Sequence, residues 1–323
     1  MKIQRFLFAL LVFLAPTSAV VAQESERSQH TVPIGRIQLE AELVWPQGGQ
    51  DVKGAVVFAT GSGGRSFRDY PPGVREQLIE SIYLPRDIAV FYVNKRGAGE
   101  STGDWRLGSI ERRAEDILAA VEYLRQMPEI DPDGIGLIGH SQGGWVVQLA
   151  GSQDPRLAHV VSLAGPTVSV REQDLRRTEI SLECEGIVGE ELEQGLAQRD
   201  RAHRMMIFFG GWFPFFQLRL MHNILPYDPA EALQATTVPT LLAYGELDEQ
   251  APPEHSRDRL TEIFPEGVPE NITFYAAPQG DHYLRVRDSH CPDTEFIERP
   301  FSQEFREFLG NWLDSIASRP VGG

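Results

Sequence analysis

Cysteine is scarce in this chain, with two in 323 residues. That excludes a cysteine-based zinc centre and a disulfide-dense scaffold. Positive charge is scarce as well: 30 Lys and Arg stand against 46 Asp and Glu, a formal net charge of −16. A nucleic-acid partner requires a basic footprint, so none is expected. Charge alone would not hold such a chain on anionic lipid either. The apolar run from Phe6 to Ala15 falls well short of the ~20 residues that span a bilayer, and no later run approaches that length. No stable membrane insertion of the mature chain is therefore expected. Internal repeats and low-complexity tracts are also lacking. What remains is an ordinary globular composition, 41% hydrophobic and 24% charged, which suits one large domain or one domain carrying an insertion.

The first residues read as a targeting segment. Lys2 and Arg5 precede the apolar run, and Val20, Val21 and Ala22 follow it. A basic start, a short apolar stretch and small residues before a cut make a cleavable secretory signal peptide over residues 1–22. A secreted or periplasmic protein is expected.

Along the mature chain, alternation from Val32 to Trp45 suggests an antiparallel pair or a bent strand at a sheet edge. Short continuous apolar runs follow at 54–60, 88–93, 135–138, 159–164, 240–244 and 271–276, each long enough for a strand buried on both faces. Between them, Ile110, Ala114, Ile117, Val121 and Leu124 recur at helical spacing behind Ser109, a plausible N-cap. Residues 145–150 continue as a helix, and 301–316 read as a closing amphipathic one. Strands alternating with helices imply a mostly parallel sheet covered on both faces. The rhythm breaks after Pro166. The spacing predicts a sheet core over 23–166 and 233–323, with a mainly helical cap inserted at 167–232.

Gly139-His140-Ser141-Gln142-Gly143 fits G-x-S-x-G between a predicted strand and a predicted helix. A serine on such a turn is lifted clear of the sheet, and the glycines relieve the crowding beside it. Serine is a weak nucleophile at its own pKa, so a base must take its proton and a third group must orient that base. Of eight histidines, His282 alone follows the last core strand directly, at the sheet edge where Ser141 emerges. His140 adjoins the serine and is expected to point away from it; His290 is the runner-up. The acid is assigned to Asp248, three residues past Gly245, with Glu246 and Glu249 as rivals. Oxyanion donors are assigned to the backbone N–H of Gln142 and of Ser62.

These segments carry a resemblance. Residues 60–64 with Arg68-Asp69, residues 94–101, Gly139 to Gly144, Gly245 to Asp248 and Gly280 to His282 together resemble the α/β-hydrolase superfamily. The bacterial esterase, dienelactone-hydrolase and serine-aminopeptidase-like branches are the most similar. The chain order Ser141, Asp248, His282 matches that superfamily's nucleophile, acid and histidine order. Thr60 and Asn94 depart from the residues common there, His and Asp. The resemblance implies an α/β-hydrolase fold and neither a metal nor a cofactor.

The function expected is a secreted serine hydrolase that cleaves carboxylic esters, or thioesters by the same acyl-enzyme route. Its partner would be a small-molecule ester with an apolar acyl or alcohol part. Phe208, Phe209, Trp212, Phe213 and Phe216, in the aromatic block of the cap, are expected to line that substrate's pocket or to pack the cap onto the core. A serine peptidase or aminopeptidase is the alternative; a non-catalytic binding protein on the same fold comes third. Two motifs are set aside. Gly134 to Gly139 spells G-x-G-x-x-G but lies before and inside the strand, and the sequon at Asn271 opens a core strand. Cys184 and Cys291 form an even pair which, after export, is expected to bond.

Overall fold

The computed structural model describes residues 25–48, 52–212, 216–292 and 298–318. The predicted signal peptide lies outside them, so nothing in the fold bears on it.

Eight strands form one sheet: β1 (Arg27–Ile34), β2 (Ile37–Val44), β3 (Gly54–Ala59), β4 (Ile88–Val93), β5 (Gly136–His140), β6 (Val160–Leu163), β7 (Thr240–Gly245) and β8 (Ile272–Ala277). Their order across the sheet is β1-β2-β4-β3-β5-β6-β7-β8. Strands β1 and β2 pair antiparallel, β2 pairs antiparallel with β4, and every later pairing is parallel. The edge hairpin begins earlier than its apolar residues suggest. Arg27 to Thr31 join the ladder opposite Val44 to Glu40 although their side chains are largely polar.

The continuous apolar runs are explained by burial on both faces. Along β3, Ala55, Val57 and Ala59 enter one core while Val56 and Phe58 enter the other. The first core is closed by α1 (Ile110–Arg125) and α2 (Gln142–Gln153). Ser109 caps α1 by accepting the Arg112 N–H at 3.2 Å, as its position suggests. The second core is closed by the helical turns at Val74–Glu80 and by the closing helix near the chain's end, Gln303–Ala317.

Between β6 and β7 the chain forms α3 (Val170–Cys184), α4 (Glu190–Phe209), α5 (Phe216–Ile224) and the short α6 (Ala230–Ala235). A capping box starts α3, in which Ser169 accepts the Glu172 N–H and the Glu172 carboxylate accepts the Ser169 N–H. This segment attaches to the first core through Val170, Ile224, Leu225 and Tyr227, with Met206, Ile207, Leu220 and Met221 packed around them. Trp145 Nε1 donates to the Val168 carbonyl at 3.2 Å, fixing the segment's start to α2. After β7 come α7 (Pro253–Ile263), β8 and the closing helix, here α8. A disulfide joins Cys184, at the end of α3, to Cys291, with 5.5 Å between their Cα atoms.

Candidate active site

Ser141 stands between β5 and α2 with φ 56° and ψ −121°. A non-glycine residue in that region is strained, and such strain persists only where the surroundings impose it. Here they do. A Cβ on Gly139 would lie 2.1 Å from the Gly143 carbonyl oxygen, and one on Gly143 would lie 2.1 Å from the Ala59 oxygen. Side chains at either position would force β5, α2 and β3 apart.

His282 and Asp248 meet at the same sheet edge. The ring Nδ1 lies 3.0 and 2.9 Å from the two Asp248 oxygens, and both residues are buried. Burial opposes protonation of His282, but the Asp248 carboxylate, helped by Glu249 and Asp281, outweighs it and raises the imidazole pKa above its ordinary value. Asp248 is itself held by the N–H groups of Gln250 and Ala251, each at 2.8 Å. With Nδ1 committed to the carboxylate, Nε2 is the ring atom available to exchange a proton. No hydrogen bond joins Ser141 to His282 directly among the described residues, though both line one cleft.

The rivals have other partners. Glu249 pairs with Arg287 at 2.7 Å, and Glu246 accepts the Gln279 N–H at 3.2 Å. His290 is exposed. His140 lines the same cleft as the serine and has a task there. Its Nε2 donates to the His282 carbonyl at 2.8 Å, and its ring stacks on Tyr283 with centroids 4.6 Å apart. Burial, then the neighbouring His282, pushes its pKa down to about 3, so it is a neutral donor at any working pH.

Three residues that line the cleft or hold its loops have no counterpart in the sequence-based assignment. Arg113, from α1, donates to the Gln142 Oε1 at 2.7 Å and to the Thr60 carbonyl. It thereby ties together the two loops that carry the assigned oxyanion donors. Burial pushes its pKa down to about 10, which leaves it a cation at neutral pH. Lys95 donates through Nζ to the Gly61 carbonyl at 2.7 Å and to that of Gly63. Burial, then the charge of Arg113, lowers its pKa to about 6. The Tyr70 hydroxyl accepts the Gly61 N–H. A Cβ on Gly61 would lie 3.2 Å from that hydroxyl and 3.4 Å from Ser141 Cβ, so the phenol stands beside the serine with its own proton free to donate. Lys95 and Tyr70 sit next to quoted motifs, Arg96-Gly97 and Arg68-Asp69, which was the available signal. Arg113 had none beyond its place on a half-buried helix.

The cleft has two lobes that meet at Ser141, His282, Ser62 and Gln250. One, of about 290 Å³, is lined by residues 60–63, Arg65, Tyr70, Lys95 and Tyr283. The other, of about 130 Å³, lies under the segment between β6 and β7; its wall is mainly apolar, with Trp145, Ala164, Pro166, Val170, Met221 and Ile224, and also carries Gln173, Asp174 and Arg177. The aromatic block is a correction. Phe208, Phe209 and Trp212 are 72%, 48% and 88% exposed and line neither lobe. In the last turns of α4 the buried stripe runs through His203, Met206, Ile207 and Gly210, and Phe208 and Phe209 fall off it. Phe213 lies outside the described residues, as do the surroundings of the Phe216 side chain.

Comparison with known proteins agrees with this fold. The profile of the prolyl oligopeptidase family matches residues 77–206. An uncharacterized 31.7 kDa protein of Escherichia coli, from the traX-finO intergenic region, is 26% identical over 206 residues, covering 57% of this chain and 72% of its own. Among solved structures, an esterase from Pyrococcus furiosus superposes with a TM-score of 0.61 at 16% identity, covering 92% of each chain. A dienelactone hydrolase from Anabaena variabilis gives 0.55 at 18% identity, over 91% of this chain and 99% of its own. The chain has the α/β-hydrolase fold.

Proposed function

We propose that this protein is a serine hydrolase that cleaves carboxylic esters, and thioesters by the same route, through an acyl-enzyme intermediate. The observation that carries the reading is the buried Asp248–His282 pair opening onto the same cleft as Ser141, whose backbone is held in a strained turn. Likeness to esterase and dienelactone-hydrolase structures supports a hydrolase.

In this scheme His282 Nε2 takes the Ser141 proton as the oxygen attacks the ester carbon, and Asp248 holds the ring and stabilises the imidazolium that forms. The tetrahedral oxyanion is received by the N–H groups of Gln142 and Ser62, with the Tyr70 hydroxyl as a third donor. His282 then returns its proton to the departing alcohol or thiol. Water repeats the sequence on the acyl-enzyme and frees Ser141. The apolar lobe under α3 and α5 suits an apolar acyl or alcohol part. An exported location fits the basic and apolar residues at the start of the chain and the disulfide. A peptidase is the second reading, supported by the prolyl oligopeptidase match.

A serine-directed phosphonate should label the wild type and leave Ser141→Ala unlabelled. Turnover of a panel of acyl esters should drop on the order of 10⁶-fold in that variant, with substrate binding preserved. Near-normal ester turnover by Ser141→Ala would overturn the assignment. Faster cleavage of aminoacyl amides than of any ester would favour the peptidase.

A further inference from the structure

The larger lobe of the cleft has a charge opposite to that of the whole chain. In a protein of net charge −16, the side chains lining it include Arg65 and Lys95 and no Asp or Glu. Arg65 is exposed at the lobe and makes no hydrogen bond or ion pair among the described residues. Most other arginines near the site are engaged: Arg113 with Gln142 and Thr60, Arg287 with Glu249, Arg285 with the Pro72 carbonyl. The carboxylates around Tyr283 are engaged as well. Asp281 accepts the N–H groups of Tyr283 and Arg285 at 2.8 Å each, and Glu249 is held by Arg287.

Lys95 is placed to act with Arg65. Burial lowers the Lys95 pKa to about 6, and a carboxylate bound in the lobe would favour its ammonium form, which has three donors; two of these go to the carbonyls of Gly61 and Gly63. The third remains for a ligand in the lobe its side chain helps to line. Tyr283 and Tyr70 add hydroxyls to the same wall, and the Thr60 hydroxyl is buried with no partner among the described residues. An unpaired guanidinium beside a half-satisfied amine, with hydroxyls and no acid, is what recognises a carboxylate. Arginine offers it two parallel N–H donors in a fixed fork.

We infer that the substrate carries a carboxylate on the part of the molecule that occupies this lobe, where Arg65 and Lys95 bind it while the scissile carbonyl sits at Ser141. The inference rests on the serine hydrolase reading and names its substrate class: an ester or thioester with an anionic end for this lobe and an apolar end for the lobe beneath α3 and α5.

The test uses pairs in which the carboxylate is either free or masked as an alkyl ester, with cleavage followed at the remaining ester and corrected for the number of equivalent bonds. Monoethyl glutarate against diethyl glutarate places it on the acyl side; 4-acetoxybenzoate against its methyl ester places it on the alcohol side. In at least one pair the wild type should show a higher kcat/KM for the anion. Arg65→Gln should lower the anion-to-neutral ratio by about tenfold or more through KM, and Arg65→Lys should restore part of it. Arg65 makes no hydrogen bond or ion pair among the described residues, so these variants should remain folded. If a phosphonate labels Ser141 but neither pair favours the anion, or Arg65→Gln leaves the ratio unmoved, the carboxylate site is refuted and the hydrolase reading stands. If the wild type is neither labelled nor active on any of the four esters, the hydrolase reading falls and the carboxylate site with it.

Discussion

At the scale of single residues, the environment of each group decides which of several like residues does a given job. Asp248, Glu246 and Glu249 lie within four positions of one another, yet only Asp248 reaches His282. Asp248→Asn should therefore lower kcat by roughly 10⁴-fold, because an amide can donate to the ring and select the wrong tautomer. Glu246→Gln and Glu249→Gln should stay within a few-fold of wild type; equal losses in all three would refute the assignment. The pH profile gives a second reading of the same pair. His282 must be neutral to act as base, so kcat/KM should rise with pH through an inflection above the ordinary imidazole value, as its raised pKa requires. Asp248→Asn should move that inflection to lower pH, measured on a neutral ester. Ser141, Asp248 and His282 were legible in the sequence because backbone geometry constrains them: glycines flank the turn, and each residue follows a strand directly. Lys95, Tyr70 and Arg113 were not. They come from the chain just past β4, from the loop after β3 and from α1, and no local spacing records a meeting of three separate segments.

At the scale of elements, the parallel strands were legible because burial on both faces leaves continuous apolar runs, while the helical turns at Val74–Glu80 were not. Their sequence, VREQLIE, buries Val74, Leu78, Ile79 and Glu80, a grouping that departs from regular α-helical spacing. The aromatic block misled for a related reason: composition counts large rings, but helical phase turns Phe208 and Phe209 of α4 off the buried stripe, and Trp212, just past the helix's end, is exposed. Trp212→Ser should accordingly change stability by no more than about 0.5 kcal/mol and leave kcat/KM on short esters within twofold. A larger loss in either would return that ring to the site. Helix α1 carries the opposite expectation. Through Arg113 it ties the Thr60 carbonyl to the Gln142 side chain, next to the two proposed oxyanion donors. Arg113→Met should lower kcat by roughly 10–10²-fold, less than the loss of a donor outright, with a smaller change in KM. A change confined to KM would assign Arg113 to substrate binding instead.

At the scale of the molecule, the cysteine pair links the helical segment over the cleft to the chain that leaves the site. Cys184 ends α3, Cys291 lies nine positions past His282, and the bond closes a sequence separation of 107 residues. Arg287 extends the link, since it donates to the Cys291 carbonyl and pairs with Glu249, the neighbour of Asp248. One covalent bond thus constrains both the wall of the apolar lobe and the loops bearing the acid and the histidine. For a loop on the order of 100 residues the chain-entropy model gives roughly 4–5 kcal/mol, an upper figure because native strain reduces it. Thiol titration of the denatured, unreduced, exported protein should find no free thiol; two per chain would refute the bond. The Cys184→Ser, Cys291→Ser double variant should unfold at lower denaturant, in proportion to a loss of up to about 4 kcal/mol. Its ester turnover at low temperature should keep kcat within a few-fold while KM rises, because the bond holds the lobe's wall and touches no reacting atom. Collapse of kcat with KM unchanged would show instead that the link through Arg287 is what keeps Asp248 against His282.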